Sequence, residues 1–164
     1  MRSRWPLIAG VMAAGVLAAV VVAVVGVALG GSSNDAATKA DYQATVVNAR
    51  DRVDFALARI GNSQSQTELI QRINDASDTV GGAASELAQA KVAKGFEDDN
   101  KNLVLTLQSF STELTNTAQT FSDPTFGGAL QNMSSLSFPQ WDKVNQILED
   151  LHSRGIEVQP LARH

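Results

Sequence analysis

Apolar and polar residues alternate along this chain in two different regimes. From Pro6 to Leu29 no residue is charged, and Ala, Val, Gly and Leu dominate. From Tyr42 onward apolar residues recur in steps of four and three. The first regime reaches about 36 Å as a helix, more than the roughly 30 Å hydrocarbon core of a bilayer. The second regime marks helices that each bury one face.

Three seams of this kind follow one another. The first runs through Tyr42, Val46, Ala49, Val53, Ala56 and Ile60. The second runs through Leu69, Ile73, Ala76, Val80, Ala83, Leu87 and Ala90. The third takes Phe96, Leu103, Leu107, Phe110, Leu114 and Phe121, with Asn100 and Thr117 at its two polar steps. Gly61 is expected at the C′ position that ends the first helix. Ser65-Gln-Thr-Glu68 reads as a capping box opening the second. Gly95 separates second from third, and Glu97, Asp98 and Asp99 favour the dipole of the third helix's first turn. Connections this short make neighbouring helices antiparallel. The second helix offers mostly Ala to its seam and carries Gly81-Gly82, which predicts the weakest helix and a bend there.

A fourth helix is predicted from about Pro139 to Arg154, with Trp141, Val144, Leu148 and Leu151 on one face. Gly155 fits C′ of a Schellman motif that brings Ile156 against Leu151. Asp123-Pro124 is expected to open a short helix reaching about Met133. Phe55 and Leu105 lie off their seams. The expectation is that the fourth helix packs outside and covers them; the alternative is a contact surface, since exposed large apolar patches mark interactions.

The fold expected is therefore all-α: an N-terminal transmembrane helix followed by an antiparallel three- to four-helix bundle. The segments are a cytoplasmic N-terminus 1–5, an anchor 6–29, a flexible Gly/Ser linker 30–35, a three-helix bundle 36–121, a linker with a short helix 122–137, a C-terminal helix 138–155 and an extended tail 156–164.

Charge orients the anchor. Arg2 and Arg4 precede it, and Asp35 is the first charge after it. The positive-inside rule puts Met1 in the cytoplasm and the bundle outside. A cleaved signal peptide is the competing reading, but the apolar run exceeds the usual 7–15 residues. Small residues recur every fourth position, as in Gly15, Ala19 and Ala23, and such rows let membrane helices approach closely. The chain carries 13 Lys/Arg against 17 Asp/Glu. With Arg2 and Arg4 ahead of the anchor, the exported part is more acidic still, which argues against nucleic acid as a partner.

The chemistry-bearing residues form no constellation. There is no cysteine, which excludes a lipid-modified Cys, disulfides and thiolate metal sites. The two histidines, His152 and His164, lack a second ligand at metal spacing. No nucleophile elbow, Ser-x-x-Lys or phosphate loop is present. No catalytic residue, metal ligand or cofactor is assigned. Asn100 either fixes helix register as a buried seam polar residue or stays wet near the helix start.

The Ala/Val/Gly-rich anchor, the acidic helical exported part, Asp41-Tyr-Gln-Ala44 and Asn102-Leu-Val-Leu-Thr-Leu107 resemble actinobacterial single-pass exported envelope proteins. The resemblance spans roughly residues 35–121. It implies a helical bundle outside the membrane and imports no active site. The function expected is a non-enzymatic, membrane-anchored interaction module, an accessory or scaffold subunit of a cell-envelope complex. Its partner would be a membrane protein or a second copy. Candidate contacts are Gly15, Ala19 and Ala23 in the anchor, and Phe55, Leu105 and Trp141 outside it. The alternative is an extracytoplasmic ligand-binding or sensor domain.

Overall fold

The computed structural model of the protein describes residues 37–123 and 137–163. They form four helices and no strand: α1 Lys39–Ile60, α2 Gln66–Gln89, α3 Glu97–Ser122 and α4 Pro139–Ser153. The expected anchor 6–29 and linker 30–35, with Gly15, Ala19 and Ala23, lie outside the described residues, as do the expected short helix after Asp123 and His164. Among the described residues, no helix is long and apolar enough to cross a membrane.

Local chemistry explains the ends. Thr38 caps α1: its hydroxyl accepts from the Asp41 N–H at 3.1 Å, and Asp41 accepts from the Thr38 N–H at 3.3 Å. This reciprocal box satisfies two of the donors that a helix start leaves unpaired. Gly61 does not take the left-handed C′ role expected of it, since its φ is −61°. The last carbonyls of α1 are instead taken by the Ser63 hydroxyl, on Ile60 at 2.7 Å, and the Asn62 amide, on Ala58 at 3.1 Å. Ser65 caps α2 through the Glu68 N–H at 3.2 Å, but the Glu68 carboxylate reaches back to the Gln64 N–H at 2.8 Å, one residue beyond a capping box. Gly155 behaves as read. Its φ is +85°, its N–H reaches the His152 carbonyl, and the Ile156 N–H reaches Leu151 at 3.0 Å. Those are the two bonds of a Schellman motif.

The helices run up, down, up and down. Arg59 near the end of α1 faces Asp75 early in α2, and Arg52 pairs with Glu86 late in α2. Gln66 opening α2 donates to the Phe121 carbonyl at the end of α3. Arg154 after α4 pairs with Asp99 at the start of α3. Their apolar faces merge into one cluster. Tyr42, Val46, Leu69, Ile73, Leu87, Phe110, Leu114, Leu148 and Leu151 are its largest buried side chains, with Val53, Val80 and Ile156.

α2 runs unbroken through Gly81-Gly82 and packs more extensively on α3 than any other pair does. Three of its four alanines, Ala76, Ala83 and Ala84, are completely buried. Small side chains let two backbones approach, and Gly81 sits directly against Ser111. The small residues that suggested a bend thus lie in a continuous helix packed closely on α3.

The tail is the unexpected part of the core. Ile156, Val158 and Leu161 are at most 4 % exposed, whereas Glu157 and Gln159 face water. Among the described residues, no Cα of α1 comes within 8 Å of one in α4. The tail fills that gap. It runs beside α1 from Gln43, which accepts from the Glu157 N–H, to Asp54, which accepts from the Ala162 N–H. The match is dimensional: eleven helical residues rise about 16 Å, and five extended residues cover about the same distance. Burying each of the three apolar tail side chains contributes about 1.5–3 kcal/mol.

Candidate functional site

The expected cover over Phe55 and Leu105 is absent. Phe55 is 69 % exposed and Leu105 is 52 % exposed, the two large apolar side chains left outside among the described residues. The reason is where α4 goes. Val144, Leu148 and Leu151 turn into the same core as the first three helices, against α3 and the tail, so α4 is a fourth member of the bundle and not an outer layer. Periodicity had located the apolar face of α4 but not the neighbour it meets.

Phe55 stands in a surface groove between α1 and α2, with a volume of about 210 Å³. Arg52, Ala56 and Arg59 line it from α1, and Arg72, Asp75 and Thr79 from α2. The α1 residues recur at steps of three and four, the spacing of one helix face. That stripe was present in the sequence but reads as an ordinary solvated face until Phe55 is known to be uncovered. Each arginine has an acid: Arg52 pairs with Glu86, Arg59 with Asp75 at 3.9 Å, and Arg72 with Glu68. Arg72 also donates to the Arg59 carbonyl at 2.6 Å, tying α2 to the last turn of α1. The groove therefore presents one large aromatic ring in a charged but nearly neutral frame. The Arg52 and Arg59 pairs are exposed, and pairs of that kind contribute at most about 1 kcal/mol to stability.

Trp141 is half-buried. Its ring meets Phe110 edge-on at 6.4 Å, beside Phe138 at 5.9 Å from the same ring, and its buried indole N–H has no hydrogen-bond partner. Leu105 lies on the outer face of α3 between exposed Lys101 and Gln108.

Two polar clusters lie inside. Asn100 is 6 % exposed, which settles it as a buried seam residue. Its Oδ1 accepts from the Tyr42 hydroxyl and its Nδ2 donates to the Leu87 carbonyl at 3.1 Å, so one side chain joins α1, α2 and α3. Burial pushes the Tyr42 phenol far above its ordinary value, the nearby Asp99 carboxylate adds to the shift, and Arg154 opposes it. Between α2 and α3, the Ser77 hydroxyl meets those of Ser111 and Thr115 at 3.0 and 2.8 Å, and the Ser111 hydroxyl donates to the Ser77 carbonyl. These hydroxyls satisfy one another and the backbone and tie α2 to α3.

At the end of the bundle where α1 starts, Arg154 lies 4.6 Å over the Phe96 ring and pairs with Asp99, while Lys39 donates to the Arg154 carbonyl at 3.0 Å. Among the described residues, no group of acids and histidines is arranged to hold a metal ion. Where the four helices and the tail meet, the apolar cavity is about 10 Å³, room for about one water and far below the 300–1,000 Å³ of ligand pockets.

No protein-family model, no characterised protein and no solved structure matches this chain.

Proposed function

We propose that the chain is a non-enzymatic, membrane-anchored interaction module outside the cytoplasm, an accessory or scaffold subunit of a cell-envelope membrane complex. The observation that carries this reading is Phe55: a large apolar ring, 69 % exposed, in a groove on a bundle whose other large apolar side chains are mostly inside. An aromatic ring framed by arginines matches the composition enriched in protein–protein interfaces, which favours a contact role. The uncharged run Pro6–Leu29, led by Arg2 and Arg4, supports the anchor and its direction. Gly15, Ala19 and Ala23 supply a second, intramembrane surface for a helix partner. A ligand held between the helices finds little support in an interior cavity of about 10 Å³.

The test is a photo-crosslinking amino acid placed at Phe55, at Leu105 and at exposed Asn48 in native membranes. A discrete adduct at Phe55, lost when Gly15, Ala19 and Ala23 are changed to Leu or when Arg52 and Arg59 are changed to Ala, is expected. Equal labelling at Phe55 and Asn48 would remove the groove as a contact surface.

A further inference from the structure

We infer that the groove between α1 and α2 docks an acidic amphipathic helix of another protein, one that sets a large apolar side chain on Phe55 and carboxylates one turn to either side. This rests on the reading of Phe55 as a contact and adds what the contact selects. Arg52, Phe55 and Arg59 share one face of α1, with an arginine one turn before the ring and another one turn after it. Both arginines line the groove, with side chains 47 % and 50 % exposed. Arg59 is the less committed of the two. Among the described residues its guanidinium donates no hydrogen bond, and Asp75 stays at 3.9 Å, beyond hydrogen-bond reach. A guanidinium presents its N–H donors in a planar fork that matches a carboxylate. Arg52 bonds Glu86 through Nη2 alone. Arg72, by contrast, is fully engaged with Glu68 and the Arg59 carbonyl, so it fixes the wall of the groove.

Charge decides what fits. The frame as a whole is nearly neutral, but Glu68 and Glu86 reach their arginines from outside the groove, and Asp75 is the one acid in its lining. A visitor therefore meets an aromatic ring rimmed by guanidiniums, on a chain of net charge −4. A carboxylate arriving at Arg59 gains a charge-assisted pair that Asp75 does not make, whereas an arriving cation meets like charge. Grooves between helices take a partner helix by apolar anchors one turn apart. Arg52 and Arg59 are separated by about 10 Å along α1, the rise of two turns, so carboxylates two turns apart on the partner match both. The same spacing opposes self-pairing. Two copies docking their α1 helices antiparallel about Phe55 bring Arg52 of one toward Arg59 of the other, a like-charge contact. Exposed Leu105 is no better as the visiting side chain: Lys101, Asn102, Gln108 and Ser109 lie one turn from it, and none is acidic.

The full-length protein in detergent can be titrated with fluorescent helical peptides in an Ala/Gln host. The probe carries a central Leu with Glu one turn to either side. Its controls have Gln for Glu, Lys for Glu, or Ala for Leu. The wild type is expected to bind the acidic probe about tenfold more tightly than the Gln control, a preference that fades with added salt. Arg59→Gln should remove most of that preference, Arg59→Glu should turn it toward the Lys control, and Phe55→Ala or loss of the Leu should weaken binding throughout. Circular dichroism melts matched to the wild type show that each variant is folded. No binding of the acidic probe, equal affinity for the acidic and Gln peptides, or a preference that survives Arg59→Gln would each overturn the inference, as would a Phe55 photo-adduct formed solely between copies of the chain. If acid selection is absent while the Phe55 photo-adduct stays specific, the inference alone falls. If labelling at Phe55 only equals that at Asn48, the contact reading falls with it.

Discussion

The hydroxyl of Tyr42 donates to Oδ1 of Asn100 across 3.3 Å, joining the first turn of α1 to the first turn of α3 inside the core. Both residues occupy seam positions. The pair therefore fixes which turn of α1 faces which turn of α3, a register that apolar seams of repeating Leu, Val and Ala leave loosely specified.

Burial raises the Tyr42 pKa above the ordinary value of 10.0, so folding favours the protonated phenol. Its contribution to stability is whole below about pH 10 and is lost progressively as the pH rises above that value towards the raised folded-state one, with a slope of at most about 1.4 kcal/mol per pH unit. Melts between neutral and strongly alkaline pH should show a steeper decline in the wild type than in Tyr42→Phe. Tyr42 is the single tyrosine of the chain, so phenolate absorbance reads its ionisation directly. Parallel curves for the two proteins would refute the assignment.

Neighbouring glycines in α2 should respond with different signs. A Cβ at Gly82 meets nothing within 4 Å, so Gly82→Ala should stabilise by about 0.5–1 kcal/mol through helix propensity. A Cβ at Gly81 comes within 3.2 Å of the Ser111 hydroxyl, so Gly81→Ala must shift the Ser77–Ser111–Thr115 cluster and forfeit that gain. Urea titration of both variants decides; equal gains would mean the α2–α3 contact is looser than described.

Two left-handed glycines separate backbone strain from crowding. Gly95→Ala, at φ +88° in open space, should cost about 1–2 kcal/mol. Gly155→Ala adds a Cβ 2.6 Å from the Lys39 ammonium, which must swing away and release the Arg154 carbonyl. Its cost should exceed that of Gly95→Ala, and Lys39→Ala in the same background should narrow the gap. A Gly155 variant no worse than the Gly95 variant would argue against the packed turn.

The tail should show a strand-like pattern of sensitivity. Leu161→Ala should cost about 2–3 kcal/mol as a core truncation, while exposed Glu157→Ala stays within about 0.5 kcal/mol. Val158→Asp buries an unpaired charge and should cost several kcal/mol. Uniformly small effects by thermal melting would mean the tail rests on the surface.

Much of this was legible in the sequence. Four helices, the polar step at Asn100 and the turn at Gly155 follow from spacing and residue type. The seams were drawn too narrow: Leu57, Ala84 and Val104 lie one position off and are buried, because a four-helix core covers a wider stripe than a two-helix seam. The Thr38–Asp41 cap lay in view but does not have the Glu or Gln of the usual box. The tail was read as extended but not as core, since three apolar residues without a sheet partner look like a terminus. Its signal was the alternation of Ile156, Glu157, Val158 and Gln159. The position of α4 and the exposure of Phe55 and Leu105 depend on which faces meet, which no single helix encodes.

The closed ring of staves is odd-numbered: four helices and one extended segment. Alternating directions cannot close such a ring, so one neighbouring pair must run parallel, and it is α1 with the tail. Tension applied between Thr38 and Arg163 would therefore slide the tail lengthwise along α1. Its bonds at Gln43, Arg50, Asn145 and Asp54 would bear that load together rather than peel one after another.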